Sequence, residues 1–478
     1  MLGGYIMGYR LFMLNILAFT LALGSLSANA QPILPISPMI PGLLSTPAQQ
    51  EQDEKLTLDR AMDFAMRNHP LIRAAASGRE IVDAQLSEAQ AGHWPLFQFS
   101  EIFTRSNNPV FVFGSLLEQS RFGPQNFNID SLNNPSSLSN FRTALIVRMP
   151  IFNQLETDTK IAQARIGLEQ AGKQQDQIKQ QVRLEVIRNY YGVLVVEGKR
   201  DVAAEAVKMA EAEVGRIRDF FGAGLVVQSD LLAAEVQLSE FRQQEIQAVS
   251  EVVTTYAALN TVLGLPIHTP QKIAGRLAEK NFAVPGVEDL VQSALTYRPD
   301  YARANLMVRS MEKRVRGAWG QYLPKVDVFS TYGMSGRDLT SGSSDYAIGA
   351  GLTYNIFDQS RSAKLDQARA AQSMAAAEQE HLASQIRLEV VRSYQQYVSI
   401  RERLNLATEV VAQAQEALRI VQDRYREGLT TITEVLRAQT AFVRTRQNLL
   451  GARYEYYLGY AQVLIVSGRL NDVQPFIS

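Results

Sequence analysis

The sequence predicts a mainly α-helical chain with a small β part, in which one run of elements occurs twice. Three observations predict it: an internal duplication, two long proline-free stretches of good helix formers, and four short segments of alternating apolar residues. FFGAGLVVQSDLL, Phe220 to Leu232, recurs 204 positions later as RYREGLTTITEVL, Arg424 to Leu436, and RLEVIRNY from Arg183 recurs at the same offset as RLEVVRSY from Arg387. Pro70 and Pro95 recur as Pro299 and Pro324, and Ile151-Phe152-Asn153 recurs as Ile356-Phe357-Asp358. The offset drops from 229 at the prolines to 205 at the Ile-Phe pair, so 24 extra residues lie between Pro95 and Ile151. They fall in 106–140, rich in Asn, Ser, Pro and Gly, which reads as a long surface loop.

In chain order, 1–30 reads as a secretory signal: Arg10 supplies the positive end, Leu11 to Leu23 the apolar core, and Ala28-Asn29-Ala30 the cleavage site. That apolar core spans only about 20 Å as a helix, against about 30 Å for a bilayer interior. A proline-rich, extended lead follows at 31–55. The first repeat, 56–263, reads helix, strand, loop, strand, very long helix, tip, helix; 264–290 is a connector; 291–466 is the second repeat and 467–478 a tail. From about Asp158 to Phe221, and again from about Ala363 to Glu427, proline is absent and Ala, Glu, Gln, Arg, Leu and Lys predominate. Each stretch predicts a helix about 100 Å long. Ile178, Val182, Val186, Tyr190 and Val193 form a seam at helical spacing, and a helix this long needs neighbours of its own kind to pack against.

The four alternating segments predict strands. In FRTALIVRM, Phe141, Thr143, Leu145, Val147 and Met149 share one face and Arg142, Ala144, Ile146 and Arg148 the other. YAIGAGLTY sets Tyr346, Ile348, Ala350, Leu352 and Tyr354 against small residues and Thr353. LFQFSEIFT groups Phe97, Phe99 and Phe103 with Glu101, and KVDVFSTYG groups Val326, Val328 and Tyr332 with Ser330. One apolar and one more polar face suits a strand of an outer-membrane barrel, and equally a half-buried soluble sheet.

Composition excludes several classes. Lys plus Arg and Asp plus Glu number 48 each, so no net field favours nucleic acid. With no cysteine there is no disulfide, thiolate metal site or lipidated N-terminal cysteine. The four histidines are scattered, and Glu378 with His381 is the only Glu-x-x-His pair at helical spacing, so neither a metal centre, another cofactor nor an enzyme is expected. After the leader no window approaches eighteen uncharged apolar residues, so a membrane would have to be crossed by strands.

Two groups of residues stand out. At the tips, Gly224 and Gly428 suit the left-handed end of a helix, and Ser229 and Thr433 are placed to cap the next one. Gly224-Leu225, then Ser229, Asp230 and Leu231, matches Gly428-Leu429, then Thr433, Glu434 and Val435; such retention in divergent copies predicts that the tips touch a partner. At the strand entries, Trp94-Pro95 and Tyr322 before Pro324 join proline stops to ring types that favour a bilayer interface, and Phe152 and Phe357 occupy the strand exits.

Taken together, the duplication, the LTLDRAMDFAMRNHPLIRAA opening, the proline-marked strand entries, the IFN and IFD exits and the two Gly-Leu tips make the chain resemble the TolC-like outer-membrane efflux proteins. The resemblance covers about Leu56 to Arg469. It implies a homotrimer in which four strands per chain build a twelve-stranded barrel in outer-membrane lipid, continued into the periplasm by a barrel of long helices. It implies a periplasmic adaptor protein and an inner-membrane RND or ABC transporter as partners. It also implies a closing network at the tips, in which Asp230 and Tyr425 match the family pattern, as does Glu434. Thr430 stands where a basic partner is expected and Arg437 where an acidic one is. The alternative reading of the same residues is a soluble periplasmic coiled-coil scaffold.

Overall fold

The computed structural model describes residues 55–278, 280–470 and 476; the predicted leader and all but the last residue of the proline-rich lead lie outside the described residues. In chain order the elements are α1 (Leu58–Asn68), α2 (Pro70–Ala91), β1 (Leu96–Ser106), α3 (Pro109–Glu118), a 3-10 turn (Pro124–Phe127), α4 (Ile129–Asn133), β2 (Leu138–Asn153), α5 (Glu156–Gly222) and α6 (Gln228–Leu263). The second half adds α7 (Val287–Tyr297), α8 (Pro299–Gly320), β3 (Lys325–Gly336), β4 (Gly342–Thr353), α9 (Ser360–Arg426) and α10 (Ile432–Val466). Both members of the pair α1/α7 have 11 residues, of α2/α8 22, and of α5/α9 67, so the helices kept their lengths and the divergence lies in the connections.

Local chemistry explains where these elements begin. Pro70 and Pro299 open α2 and α8 at the first helical position, where a missing N–H costs nothing. The conserved-length helices α5 and α9 start just after the IFN and IFD motifs, whose third residues serve the helix ends. Asn153 Oδ1 accepts from the Thr157 backbone N–H at 3.3 Å, and Asp358 Oδ1 from that of Ser360 at 2.9 Å. Between β2 and α5 the chain reverses through Gln154 and Leu155, both left-handed with φ of 62° and 63°. The Gln154 amide donates to the Leu323 carbonyl at 2.5 Å, which ties this reversal to the end of the second strand entry.

The main core lies halfway along the long helices. Val182, Val186, Tyr190 and Val193 of the predicted seam are buried there, with Ile178 packed at the margin. The connector 264–290 is part of this core: Ile273, Leu277 and Phe282 are buried, and tyrosines of the helices tie its backbone to them, Tyr456 by accepting from the Phe282 N–H at 3.1 Å. Tyr190 donates to the carbonyls of Leu56 (3.1 Å) and Ala274 (2.7 Å), Tyr397 to that of Phe282 (2.9 Å) and Tyr457 to that of Ala278 (3.1 Å). Each such large side chain contributes about 1.5 to 3 kcal/mol by burial, and its hydroxyl is satisfied by a carbonyl that would otherwise be stranded.

At one end of the long helices the four strands form one antiparallel sheet in the order β1-β2-β3-β4. The register Phe99↔Leu145↔Tyr332↔Tyr346 puts the predicted apolar sets of all four strands on one face. Phe97, Phe99, Tyr346, Ile348 and Leu352 on that face are each more than 60% exposed, so it has no cover within the chain. Arg142, Asp327, Thr331, Ser335 and Asp345 lie on the opposite face. The 106–140 segment corrects the reading as a plain loop: it carries α3, a 3-10 turn and α4. Asn108 accepts from the Phe111 N–H at 3.1 Å and Pro109 follows it, a helix start visible in the sequence once sought.

Candidate functional site

The two helix tips lie at the opposite end from the sheet, and they use the same backbone device. In the first, the Gly224 N–H donates to the Phe221 carbonyl and the Leu225 N–H to the Phe220 carbonyl, both at 2.9 Å. In the second, Gly428 donates to Tyr425 at 3.0 Å and Leu429 to Arg424 at 2.8 Å. This paired pattern is a Schellman ending, and Gly224 and Gly428 supply its left-handed residue with φ of 73° and 72°. The residue after such a glycine often folds back onto the helix, yet Leu225 and Leu429 are 72% and 62% exposed. Each tip therefore offers an apolar leucine outward from a rigid turn, and the first tip adds the exposed Val227 beside it.

The capping expectation for Ser229 and Thr433 is corrected. The following helices α6 and α10 take Val227 and Thr431 as their N-caps, in extended conformation and without a side-chain cap bond, so Ser229 and Thr433 already lie within the first helical turn. Both are exposed, as a partner surface requires. Val435 is corrected too: it is fully buried, so it holds the tip together and presents nothing outward.

Val435 belongs to a cluster that joins the tips to one another. Val214 and Ile217 of α5, Ala234 of α6, Tyr425 of α9, and Ile432 and Val435 of α10 are buried together, with Leu231 packed against them. Two polar groups are trapped here that sequence reasoning did not resolve. The Tyr425 hydroxyl is buried and, among the described residues, has no hydrogen-bond partner; the same holds for one oxygen of Glu213. Asp230 is near enough to act on the phenol electrostatically, but the expected hydrogen bond between them is not made within the chain. Burial first, and then the Asp230 and Glu213 carboxylates, push the Tyr425 pKa up. Burial likewise raises Glu213, partly offset by Arg216, whose guanidinium donates to the other Glu213 oxygen at 3.1 Å, and by Arg426. Glu213 had no sequence signal, because a lone acid on a charged 67-residue helix looks like any solvated one.

Arg437 donates to Glu434, one turn back, at 2.9 Å, and both side chains are largely exposed. The basic departure at 437 and the acidic match at 434 thus neutralise each other locally. Thr430 is half-buried in the turn. At the far end, Trp94 is 65% exposed beside Pro95, and Tyr322, just before Leu323-Pro324, carries the buried Arg361 guanidinium over its ring at 5.2 Å. Phe152 is half-buried in the last residues of β2, whereas Phe357 is exposed beyond β4. Among the described residues no helix is long and apolar enough to cross a membrane, and no group of three or more His, Asp or Glu side chains is placed to hold a metal ion.

The family model described as "Outer membrane efflux protein" matches residues 62–265 and 290–468, the two repeats in turn. The outer membrane protein TolC of Escherichia coli (strain K12) is 24% identical over 429 residues, covering 85% of this chain and 81% of its own. The pyoverdine export outer membrane protein OpmQ of Pseudomonas putida is 26% identical over 235 residues, 46% of each chain. Among solved structures, the CmeC outer membrane channel of Campylobacter jejuni superposes with a TM-score of 0.73 over 93% of this chain and 95% of its own, at 17% identity, which bears on the fold alone. The soluble-scaffold alternative fails with these matches. The long helices, the four-stranded sheet and the duplicated tips are those of a TolC-type channel, and the chain belongs to the outer membrane efflux protein family, whose members sit in the outer membrane and reach into the periplasm.

Proposed function

We propose that three copies of this chain form a passive exit duct that receives substrates from an inner-membrane RND or ABC transporter through a periplasmic adaptor. The observation that carries the reading is the open sheet: four strands with an uncovered apolar face, whose outer strands β1 and β4 each have one neighbour among the described residues. Lipid tolerates neither an open edge nor a sheet too small to close, and three chains supply twelve strands, within the range of bacterial barrels. The helices would then continue the barrel into the periplasm, with two tips from each chain around its end. The exposed Leu225 and Leu429, held on rigid turns beside Ser229 and Thr433, are the adaptor contacts, and Asp230, Tyr425, Thr430, Glu434 and Arg437 border the constriction. The duct performs no covalent chemistry and needs no cofactor.

The test is assembly and location together. Outer-membrane fractions should yield a heat-modifiable trimer that forms ion-conducting pores in planar bilayers. A monomer recovered from the soluble periplasm, or a trimer without pore activity, would overturn the reading.

A further inference from the structure

We propose that α3 is an extracellular plug: its copies in the three chains meet at the threefold axis through Val110, Phe113 and Leu117 and close the barrel mouth with an apolar constriction. The proposal rests on the trimeric-duct reading above and adds to it a second closure, at the end away from the helix tips.

Three observations lead there. The first is which face of the sheet α3 covers. Ser335 donates to the Glu118 carboxylate at 3.2 Å, and the Gln119 amide donates to Asn140 Oδ1 at 2.8 Å and to the Ser139 carbonyl at 3.0 Å. Ser335 and Asn140 lie on the polar face, opposite Phe99, Leu145 and Tyr346, within a few residues of the strand ends farthest from the helices. In a closed barrel the apolar face meets lipid, so α3 is inside, at the extracellular mouth. Arg142, hydrogen-bonded to Ser335 at 3.0 Å and paired with Asp345, braces the wall behind it.

The second observation is the helix's own pattern. Val112, Ser115 and Gln119 are buried, on a helix that contacts β2, β3 and β4 and whose Gln119 bonds directly to the wall. At 100° per residue their common direction lies roughly 160° from that of Val110, Phe113 and Leu117. These last three are 81%, 40% and 51% exposed. The side of α3 turned away from the wall is thus apolar, in a place that would otherwise be an aqueous bore.

The third is size. Twelve strands about 4.8 Å apart and tilted by about 40° close a barrel with a backbone diameter of about 24 Å. Three helices of about 10 Å diameter in mutual contact need a circle of about 22 Å. Small residues on the inner wall, Gly333, Ser335 and Ser343, leave room for a helix against it. The inward side chains of the wall narrow this backbone diameter further, so three copies of α3 have no room to stand apart; Phe113 already packs edge-on against Phe122 of its own chain at 5.0 Å, and the rest of each apolar stripe is removed from water by the other two copies. An apolar constriction of this kind holds back ions by dewetting.

The chain has no cysteine, so introduced thiols report cleanly. Phe113→Cys, Leu117→Cys and the wall-facing control Val112→Cys are compared in isolated outer membranes, treated with a bismaleimide that spans one helix-packing distance, about 8 to 10 Å. Trimers are counted in parallel on a native gel. Cross-linked pairs at 113 or 117, leaving about one third of chains as monomer on a denaturing gel because a pair uses two of three axial thiols, with none at 112, is the expected result. Intact trimers lacking cross-links at both 113 and 117, or cross-linking equally at 112, would overturn the plug and leave the duct standing. Absence of trimers would overturn the duct reading, and the plug with it.

Discussion

At Gly224 and Gly428 an added Cβ meets no heavy atom within 4 Å, so the only obstacle to a side chain is the left-handed backbone. A β-branched residue is penalised most there, and Gly224→Val with Gly428→Val should distort both Schellman endings while the core midway along the helices is untouched. The expected outcome is loss of export with wild-type trimer yield; normal export would remove the tips from the proposed adaptor docking. Glu213 makes a second residue-scale prediction. Its raised pKa means that the folded tips retain a proton which the unfolded chain has released, so stability falls as pH rises from the ordinary carboxylate range through the raised value. Glu213→Gln should flatten the thermal midpoint across that acid-to-neutral window, and an unchanged profile would show that the carboxylate does not titrate differently on folding. The glycines were legible because only a special backbone explains them twice; Glu213 was not, because burial is a property of the neighbours.

At the scale of elements, the two 67-residue helices were readable from propensity and the absence of proline, since nothing else suits so long a run. The side chains that accept from their first-turn backbone N–H groups, Asn153 and Asp358, were visible too, but as parts of IFN and IFD they passed for strand ends. Removing those acceptors should cost stability: Asn153→Ala and Asp358→Ala should each lower the thermal midpoint of the trimer, and an unchanged midpoint would show that the first backbone N–H groups of the helices are satisfied without them. α3 was not legible. Ten residues are too few for a helical period to emerge, and its two faces are distinguished only by the sheet it lies against. Ser229 and Thr433 show the opposite error: the residue types suited an N-cap, but the chain enters each helix two residues earlier, at Gln228 and Ile432.

At the scale of the whole molecule, the proposed constriction at the tips would depend on how three chains meet. Tyr425 keeps a buried hydroxyl without a partner among the described residues, which would cost about 1 to 3 kcal/mol if nothing else reached it. A contact across the ring would satisfy it. The Asp230→Ala, Tyr425→Phe variant should then raise single-channel conductance in planar bilayers, because symmetry repeats each loss in every chain; conductance equal to wild type would take both residues out of the closing network.

If both sets of tips dock on one adaptor, as proposed, the matched lengths of α5 and α9 also act as a ruler for the distance to it. An α-helix advances about 5.4 Å per turn, so lengthening one arm alone lifts one set of tips out of the common plane by that amount for each turn added. An adaptor that grips both sets could follow only if both arms, and their return helices, changed in step. On that reading the reach could change only by paired insertions, and an unpaired insertion of one turn should abolish export while leaving trimers intact.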